Sequence, residues 1–253
     1  MSDPLAASVV DHDPSDLFGL TNALCAVPSV SGDEGVLAGA VESRLRARAA
    51  HLRIERVANN VVARTENGRA RRIVLAGHLD TVPANGNANP RLDGDVLHGL
   101  GSADMKGGLA VILALAELAS AAACPYDLTF VWYEGEEVAD ARNGLRHLFE
   151  ASPELLACDL AILLEPTGGW VEAGCQGTLH ARATVRGQRA HSARPWMGSN
   201  AIHAMSSILT RVATTQSETV LVDGLEYREA LQAVRIEGGV ANNVVPDECA
   251  LVV

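Results

Sequence analysis

The sequence has no run of basic residues. Acidic side chains outnumber basic ones by 31 to 20, which gives a formal net charge of -11 at pH 7. A surface that binds nucleic acid or an anionic membrane needs clustered Lys and Arg. We therefore expect neither a nucleic acid nor a membrane as partner, and we attribute the acidity to a soluble surface together with carboxylate ligands.

The sequence also lacks paired cysteines and long apolar runs. The cysteines are single, odd in number and without CxxC spacing: Cys25, Cys124, Cys158, Cys175 and Cys249. This pattern is typical of reduced cytosolic thiols and not of a disulfide framework. The most apolar segment, residues 109–116, is too short to span a bilayer, and residues 1–4 precede no long apolar region. We expect a cytoplasmic protein without a secretory signal.

What the chain does contain is enough apolar material for a core, since 48% of its 253 residues are apolar. This suffices for one large domain or two modest ones. Hydrophobic periodicity predicts helices over 15–26, with Ser15 as cap, 31–49 and 109–122, and strands over 52–57, 60–64, 73–76, 128–133 and 160–164. Asn67-Gly68 predicts a hairpin turn that leads into the strand at 73–76. The pattern predicts an α/β fold with a mixed sheet flanked by helices.

Three of these predicted strands run directly into polar residues. The side chains that follow them are His78, Asp80, Glu136, Glu137 and Glu165. Asp104 lies between two of the strands, just before the helix at 109–122, where negative charge is favoured. In an open α/β sheet, sites form at the carboxyl ends of the strands. Most of these residues also have a purely structural alternative. His78 and Asp80 could belong to a polar turn, Asp104 could be a helix-start aspartate, and Glu136-Glu137 could be a surface pair.

The chemistry of this set points to a hydrolytic metal site. One histidine with several carboxylates and no cysteine suits Zn²⁺, Co²⁺ or Mn²⁺ and excludes an iron–sulfur cluster. Two ions would need a bridging carboxylate, and together they could activate one water. In a pair such as Glu136-Glu137, one side chain can bind metal while its neighbour transfers the proton of that water.

After about Gly174 the pattern changes to that of a smaller α+β domain. An alternating strand at 178–186 is followed by an amphipathic helix at 200–212 and strands at 232–237 and 249–253. We predict a catalytic domain over 1–174 and an incomplete second domain over 175–253. The last predicted strand reaches Val253 without a cap or tail, so we expect a truncated chain.

Four segments, in this order, resemble the metal-site motifs of the M20 family of metallopeptidases and deacylases: GHLDTVP at 77–83, GSADMKGG at 101–108, EGEEVAD at 134–140 and LLEPTGG at 163–169. The resemblance continues through 187–202 and 238–246, so it covers nearly the whole chain. It implies a zinc-aminopeptidase-like catalytic domain and a lid domain that also forms a homodimer.

The resemblance implies a ligand set for two zinc ions per subunit, with Co²⁺ as an alternative metal. His78 and Glu165 would bind one ion, Glu137 would bind the other, and Asp104 would bridge them. The Asp104-Met105 peptide is typically cis in this family. A histidine beyond Val253, in a segment that returns to the catalytic domain, would complete the second ion's ligands.

The same resemblance implies roles in catalysis and substrate binding. Glu136 would act as general base and acid, and Asp80 would orient the metal-binding histidine. His191, in the lid, would reach the active site of the partner subunit and stabilise the oxyanion. Asn242 and Asn243 would touch polar groups of the substrate, with a turn Asn pair as the equally weighted alternative.

The implied substrate is a small N-acyl amino acid. The context at 174–178 and the NNVVPDE stretch at 242–248 are most similar to family members, of the actinobacterial type, that remove succinate from N-succinyl-LL-2,6-diaminopimelate in lysine and diaminopimelate biosynthesis. Other acyl-amino-acid specificities, such as acetylornithine deacetylation, aminoacylase or carboxypeptidase activity, share the metal motifs. The contrasting hypothesis is a truncated remnant without catalytic activity.

Overall fold

The computed structural model describes residues 3–119, 124–174 and 176–253. The described chain divides into two compact units, Met1–Trp170 and Val171–Val253. The predicted end of the helix at 122 and Cys175 lie outside the described residues. Within those residues, no helix combines the length and the apolarity needed to cross a bilayer.

The first unit is built on a mixed sheet flanked by helices, as predicted. Its helices are α1 (Pro4–Asp11), α2 (Leu17–Ala26), α3 (Gly35–Arg48), α4 (Lys106–Leu118) and α5 (Gly144–Ala151). Its strands are β1 (Arg53–Val57), β2 (Asn60–Arg64), β3 (Arg72–His78), β4 (Arg91–Asp93), β5 (Val96–His98), β6 (Asp127–Tyr133) and β7 (Leu160–Leu163). The five-stranded sheet has the order β1-β2-β6-β3-β7, and β4 pairs only with β5.

Side chains of β6 alternate between two cores because successive strand residues point to opposite faces of a sheet. Phe130 and Trp132 pack into the larger core, under α1 to α4. Val131 and Tyr133 pack into a smaller core on the other face, which includes Leu148 of α5. Helices therefore pack over both faces of the sheet at β6.

Two local predictions for this unit were wrong, and some elements were not predicted. The Asn67-Gly68 turn does not join a hairpin, because β2 pairs with β6, and β3 is separated from it in the sheet. Helix α2 is capped by Asp16, whose carboxylate accepts from the Gly19 N–H, and not by Ser15. Helices α1 and α5 and the β4–β5 hairpin were not predicted.

The second unit is a small α+β unit. It contains β8 (Arg182–Arg186), α6 (Ala201–Thr214), β9 (Glu218–Val222), β10 (Leu225–Glu229), β11 (Arg235–Gly238) and β12 (Glu248–Val252). The sheet β11-β12-β8 is antiparallel, and β9 and β10 form a separate hairpin that was not predicted. Met205 and Val212 of α6 pack with Cys249 and Leu251 of β12.

Candidate metal centre

Three neighbouring parallel strands bring the predicted ligands to one edge of the first sheet. β3 lies between β6 and β7 and runs parallel to both. His78 ends β3 and is paired with Tyr133, which ends β6. Because parallel strands end at the same edge, the residues after β6 and β7 come together beside His78.

His78 is buried and its ring is held from two sides. Its Nδ1 lies 2.9 Å from the carbonyl oxygen of Asp80, and its Nε2 lies 3.0 Å from Oδ1 of Asp104. The ring also meets Tyr133 edge-on, with centroids 6.2 Å apart. When Nδ1–H donates to the Asp80 carbonyl, Nε2 is the nitrogen that can bind a metal.

Asp104 is placed by the start of α4, which approaches β3 closely. A Cβ at Gly77 would come within 2.6 Å of Met105 Cε and 2.8 Å of Leu109 Cδ2, so any larger residue would force these side chains to shift. Buried Lys106 ties α4 to the end of α2, because its Nζ donates to the carbonyls of Leu24 (3.1 Å) and Val27 (2.9 Å). The Asp104-Met105 peptide is cis, as the resemblance implies.

The ligand atoms form two groups that share His78. In one, atoms of His78, Asp104 and Glu165 all lie within 4.8 Å of one another. In the other, the same is true of His78, Glu136 and Glu137. Donors that bind one ion at about 2.0–2.2 Å are at most about 4.4 Å apart, so small side-chain movements would let either group hold a cation.

The electrostatics of this edge also suit a cation. Burial raises the pKa of Glu137 and of Glu165, and the nearby charge of Asp104 raises both further. Burial lowers the pKa of His78, but hydrogen bonds to Asp80 and Asp104 outweigh it and raise that pKa to about 9. A divalent cation would offset the repulsion among the carboxylates and displace the proton from His78. One imidazole with several carboxylates therefore fits zinc or cobalt.

Asp80 holds the turn that carries the paired glutamates. Its carboxylate accepts from the N–H groups of Glu136 and Glu137, both at 3.0 Å, and from Ser31 Oγ at 2.7 Å. The Asp80 carboxylate oxygen Oδ1 lies 3.5 Å from His78 Nδ1. The Asp80 carbonyl oxygen lies closer to the same nitrogen, at 2.9 Å. Burial would raise the Asp80 pKa, but the hydrogen bonds from His78, Glu136, Ser31 and Glu137 hold it well below its usual range. Asp80 therefore contacts both the histidine and the acidic turn.

Replacing Asp80 with Ala is expected to lower the free energy of unfolding by about 3 kcal/mol, because three donors lose a buried acceptor. Urea denaturation of the metal-free protein measures this. The matched control is Asp93→Ala, since the side-chain contact of Asp93 with the rest of the described chain is an exposed ion pair with Arg91. Equal stability of the two variants would contradict the assigned contacts.

His191, Asn242 and Asn243 lie in the second unit, where all three are exposed. His191 forms a bridge with Val244, and the Ser192 N–H donates to the Asn243 carbonyl at 2.9 Å. The Nδ1 of His191 accepts from the Ala193 N–H at 3.1 Å. The structure thus brings His191 and Asn243 together on one surface of this unit.

Sequence reasoning missed three residues that support the acidic turn: Ser31, Glu34 and Asn60. Ser31 donates to Asp80, as described, and the side chains of Glu34 and Asn60 accept from the backbone of the turn. The Ser-Gly-Asp-Glu segment at 31–34 predicts a helix start, which is its strongest local signal. The contacts join residues that are 49 to 101 positions apart in the chain, so no local sequence pattern predicts them.

Comparison with known proteins identifies the family. The sequence signature of Peptidase family M20/M25/M40 matches residues 74–240, which include all the candidate metal ligands described above. The chain belongs to this family. Its M20 fold is shared by a tripeptidase from Staphylococcus aureus subsp. aureus Mu50, with a TM-score of 0.68 at 22% identity over 95% of this chain and 65% of that one.

Two curated relatives of this M20 chain are named for one reaction. A succinyl-diaminopimelate desuccinylase of Corynebacterium glutamicum is 50% identical over 92% of the chain and 64% of that protein. A Mycobacterium tuberculosis protein named as a succinyl-diaminopimelate desuccinylase is 50% identical over 94% of the chain and 67% of that protein. The chain spans about two thirds of the length of the curated relatives it matches.

Proposed function

We propose that the full-length protein is a dinuclear zinc amidohydrolase. It removes succinate from N-succinyl-LL-2,6-diaminopimelate, a step that supplies diaminopimelate and lysine in the cytoplasm. The observation that carries the proposal is the group of His78, Asp104 and Glu165 beside the Glu136-Glu137 pair. The two relatives that are 50% identical to this chain and are named for this reaction support the choice of substrate.

In this proposal His78 and Glu165 would hold one zinc ion, Glu137 would hold the other, and Asp104 would contribute to both sites. The first ligand group supports the assignment of His78, Asp104 and Glu165, because it places their donor atoms within 4.8 Å of one another. The second group supports the place of Glu137, because a carboxylate oxygen of Glu137 lies within 4.8 Å of a ring nitrogen of the same histidine. Cobalt would bind the same donors. When bound, the metals lower the pKa of a water and polarise the amide carbonyl of the substrate.

Glu136 is the residue that moves the proton. Its carboxylate takes a proton from the attacking water as the water oxygen bonds to the amide carbon. It then gives this proton to the amine nitrogen as the C–N bond breaks, which releases succinate and diaminopimelate. Glu136 is exposed, and its backbone N–H donates to Asp80, which supports a carboxylate that is held at the strand edge and open to solvent.

The second unit supplies the remaining contacts in this proposal. A homodimer forms through this unit, and His191 donates to the oxyanion at the partner subunit's site. Asn242 and Asn243 bind polar groups of the substrate. Their exposure supports these roles.

Hydrolysis assays on the full-length protein test the proposal. We expect zinc-dependent release of succinate, at least 100-fold faster in kcat/KM than deacetylation of N-acetylornithine. A chelator should abolish turnover, and added Zn²⁺ or Co²⁺ should restore it. Zinc-loaded protein without turnover on either substrate would refute the enzyme assignment, and preferred hydrolysis of N-acetylornithine would refute the substrate.

A further inference from the structure

The turn after β6 donates its backbone N–H groups entirely to side chains. From residue 134 to residue 137, each amide has a side-chain oxygen as acceptor. The acceptors are Asn60 Oδ1 for Glu134 (3.0 Å), Glu34 Oε1 for Gly135 (3.2 Å), Asp80 Oδ1 for Glu136 (3.0 Å) and Asp80 Oδ2 for Glu137 (3.0 Å). The position of the paired glutamates therefore depends on side chains from distant parts of the chain.

Glu34 is the least expected of these acceptors. It is 1% exposed, and its Oε1 accepts both from Gly135 and, at 2.9 Å, from the Gly32 N–H. Its other carboxylate oxygen is buried and has no hydrogen-bond partner within the described residues. Glu34 stands at the N-cap of α3, but its side chain makes no capping hydrogen bond to that helix. Helix capping therefore does not explain why a carboxylate is buried here.

The segment that carries Glu34 is hydrogen-bonded to the residues that follow β3. The Thr81 N–H donates to the Ser29 carbonyl at 2.9 Å, and the Ser31 N–H donates to the Thr81 carbonyl at 3.1 Å. Ser31 Oγ adds a bond to the Asp80 carboxylate. This pairing fixes the distance between Glu34 and the edge where β3 ends.

The turn itself leaves little freedom for other arrangements. Gly135 has a φ of +67°, a conformation that residues with a side chain rarely adopt. A Cβ there would collide with the carbonyl oxygen of Arg142. Gly135 thus brings the turn close to Arg142 and points its N–H at Glu34.

We propose that Glu34 is a positioning residue for the reaction. By accepting the Gly135 N–H, it fixes the turn that presents Glu136 and Glu137 to substrate and metal. It acts through the backbone and does not touch the reacting atoms. The proposal rests on the function proposed above for Glu136 and Glu137.

Substitutions at position 34 distinguish the effect of the side-chain oxygen that accepts the Gly135 N–H from the effect of the side chain's charge. Glu34→Ala removes the acceptor, and Glu34→Asp keeps the charge but withdraws the oxygen from Gly135. Glu34→Gln keeps a side-chain oxygen where Oε1 now lies. Asp33→Ala is the matched control, because Asp33 is the exposed neighbour on the same segment.

Hydrogen exchange on the metal-free full-length protein gives a readout that needs neither metal nor turnover. In Glu34→Ala, the amides of the peptide spanning residues 134–137 should exchange about 10- to 100-fold faster than in the parent protein. Glu34→Asp should also exchange faster, whereas Glu34→Gln should recover protection to within about fivefold. Asp33→Ala should match the parent. If Glu34→Ala fails to fold, the Asp and Gln variants carry the comparison.

Kinetics on the zinc-loaded full-length protein give the second readout. Glu34→Ala and Glu34→Asp should lower kcat by about 10- to 100-fold with KM within about threefold, and Glu34→Gln should stay within about fivefold of the parent. Unchanged exchange at 134–137, or a lower Tm with unchanged kcat, would overturn the inference. So would a Gln variant as impaired as the Ala variant. A parent protein without turnover would refute the proposed function instead, and the exchange comparison would still decide the role of Glu34 in fixing the turn.

Discussion

Replacing Glu136 with Gln is expected to lower kcat by about 10³- to 10⁴-fold while the zinc content stays unchanged. Gln has nearly the same size but cannot take a proton from water. The backbone N–H of residue 136 would still donate to Asp80, so the turn should keep its position. Turnover of N-succinyl-LL-2,6-diaminopimelate and zinc content, measured on the same full-length sample, test this.

The control for this variant is Glu134→Gln. Glu134 belongs to the same turn, but its side chain accepts only weak bonds from Asn59 and Asn60, both at 3.4 Å, and it lies in neither ligand group. It should retain kcat to within about threefold. Loss of zinc from Glu136→Gln would show that Glu136 is a ligand, and it would exchange the roles proposed for Glu136 and Glu137.

Replacing Asp104 with Asn is expected to remove most of the bound zinc and to reduce activity by more than about 10³-fold. An amide supplies one neutral oxygen, so it cannot bridge two cations as a carboxylate can. It also removes the anion 3.0 Å from Nε2 of His78. Equilibrium dialysis against zinc, followed by the hydrolysis assay, measures both effects.

Asp95→Asn is the matched control for this second prediction, because Asp95 is an exposed aspartate earlier in the same connection between β3 and α4. It should bind zinc and turn over like the parent protein. If Asp104→Asn retained two zinc ions per chain, Asp104 would not be a bridging ligand, and the dinuclear arrangement would need another carboxylate.

The sequence predicted those parts of the fold whose signal is local. The apolar runs before His78 and at 128–133 became β3 and β6, because burial on both faces requires such residues. The Asn67-Gly68 signal misled because turn chemistry is local, whereas strand pairing is decided by the whole sheet, in which β6 lies between β2 and β3. Helix α1 was missed because its short apolar segment becomes helical against α2 and α3, a tertiary effect.

In the candidate site, too, the sequence predicts what depends on local signals and not what depends on tertiary contacts. Residues that directly follow strands, such as His78 and Glu165, could be assigned to one edge because parallel strands share their end. The residues that hold these side chains in position could not be predicted from the sequence. Glu34 reaches Gly135 across 101 positions of the chain, and Asp80 contacts the acidic turn as well as the histidine that it was expected to orient. Such contacts depend on the packed structure.

The most direct test of the account is an anomalous diffraction measurement at the zinc absorption edge on crystals of the full-length protein. We predict two zinc peaks at the end of β3, one bound by His78, Asp104 and Glu165 and the other bound by Asp104 and Glu137. The carboxylate of Glu136 should lie near both without binding either. Absence of zinc from this edge, or a single ion held by Glu136 and Glu137 alone, would contradict the proposed metal centre.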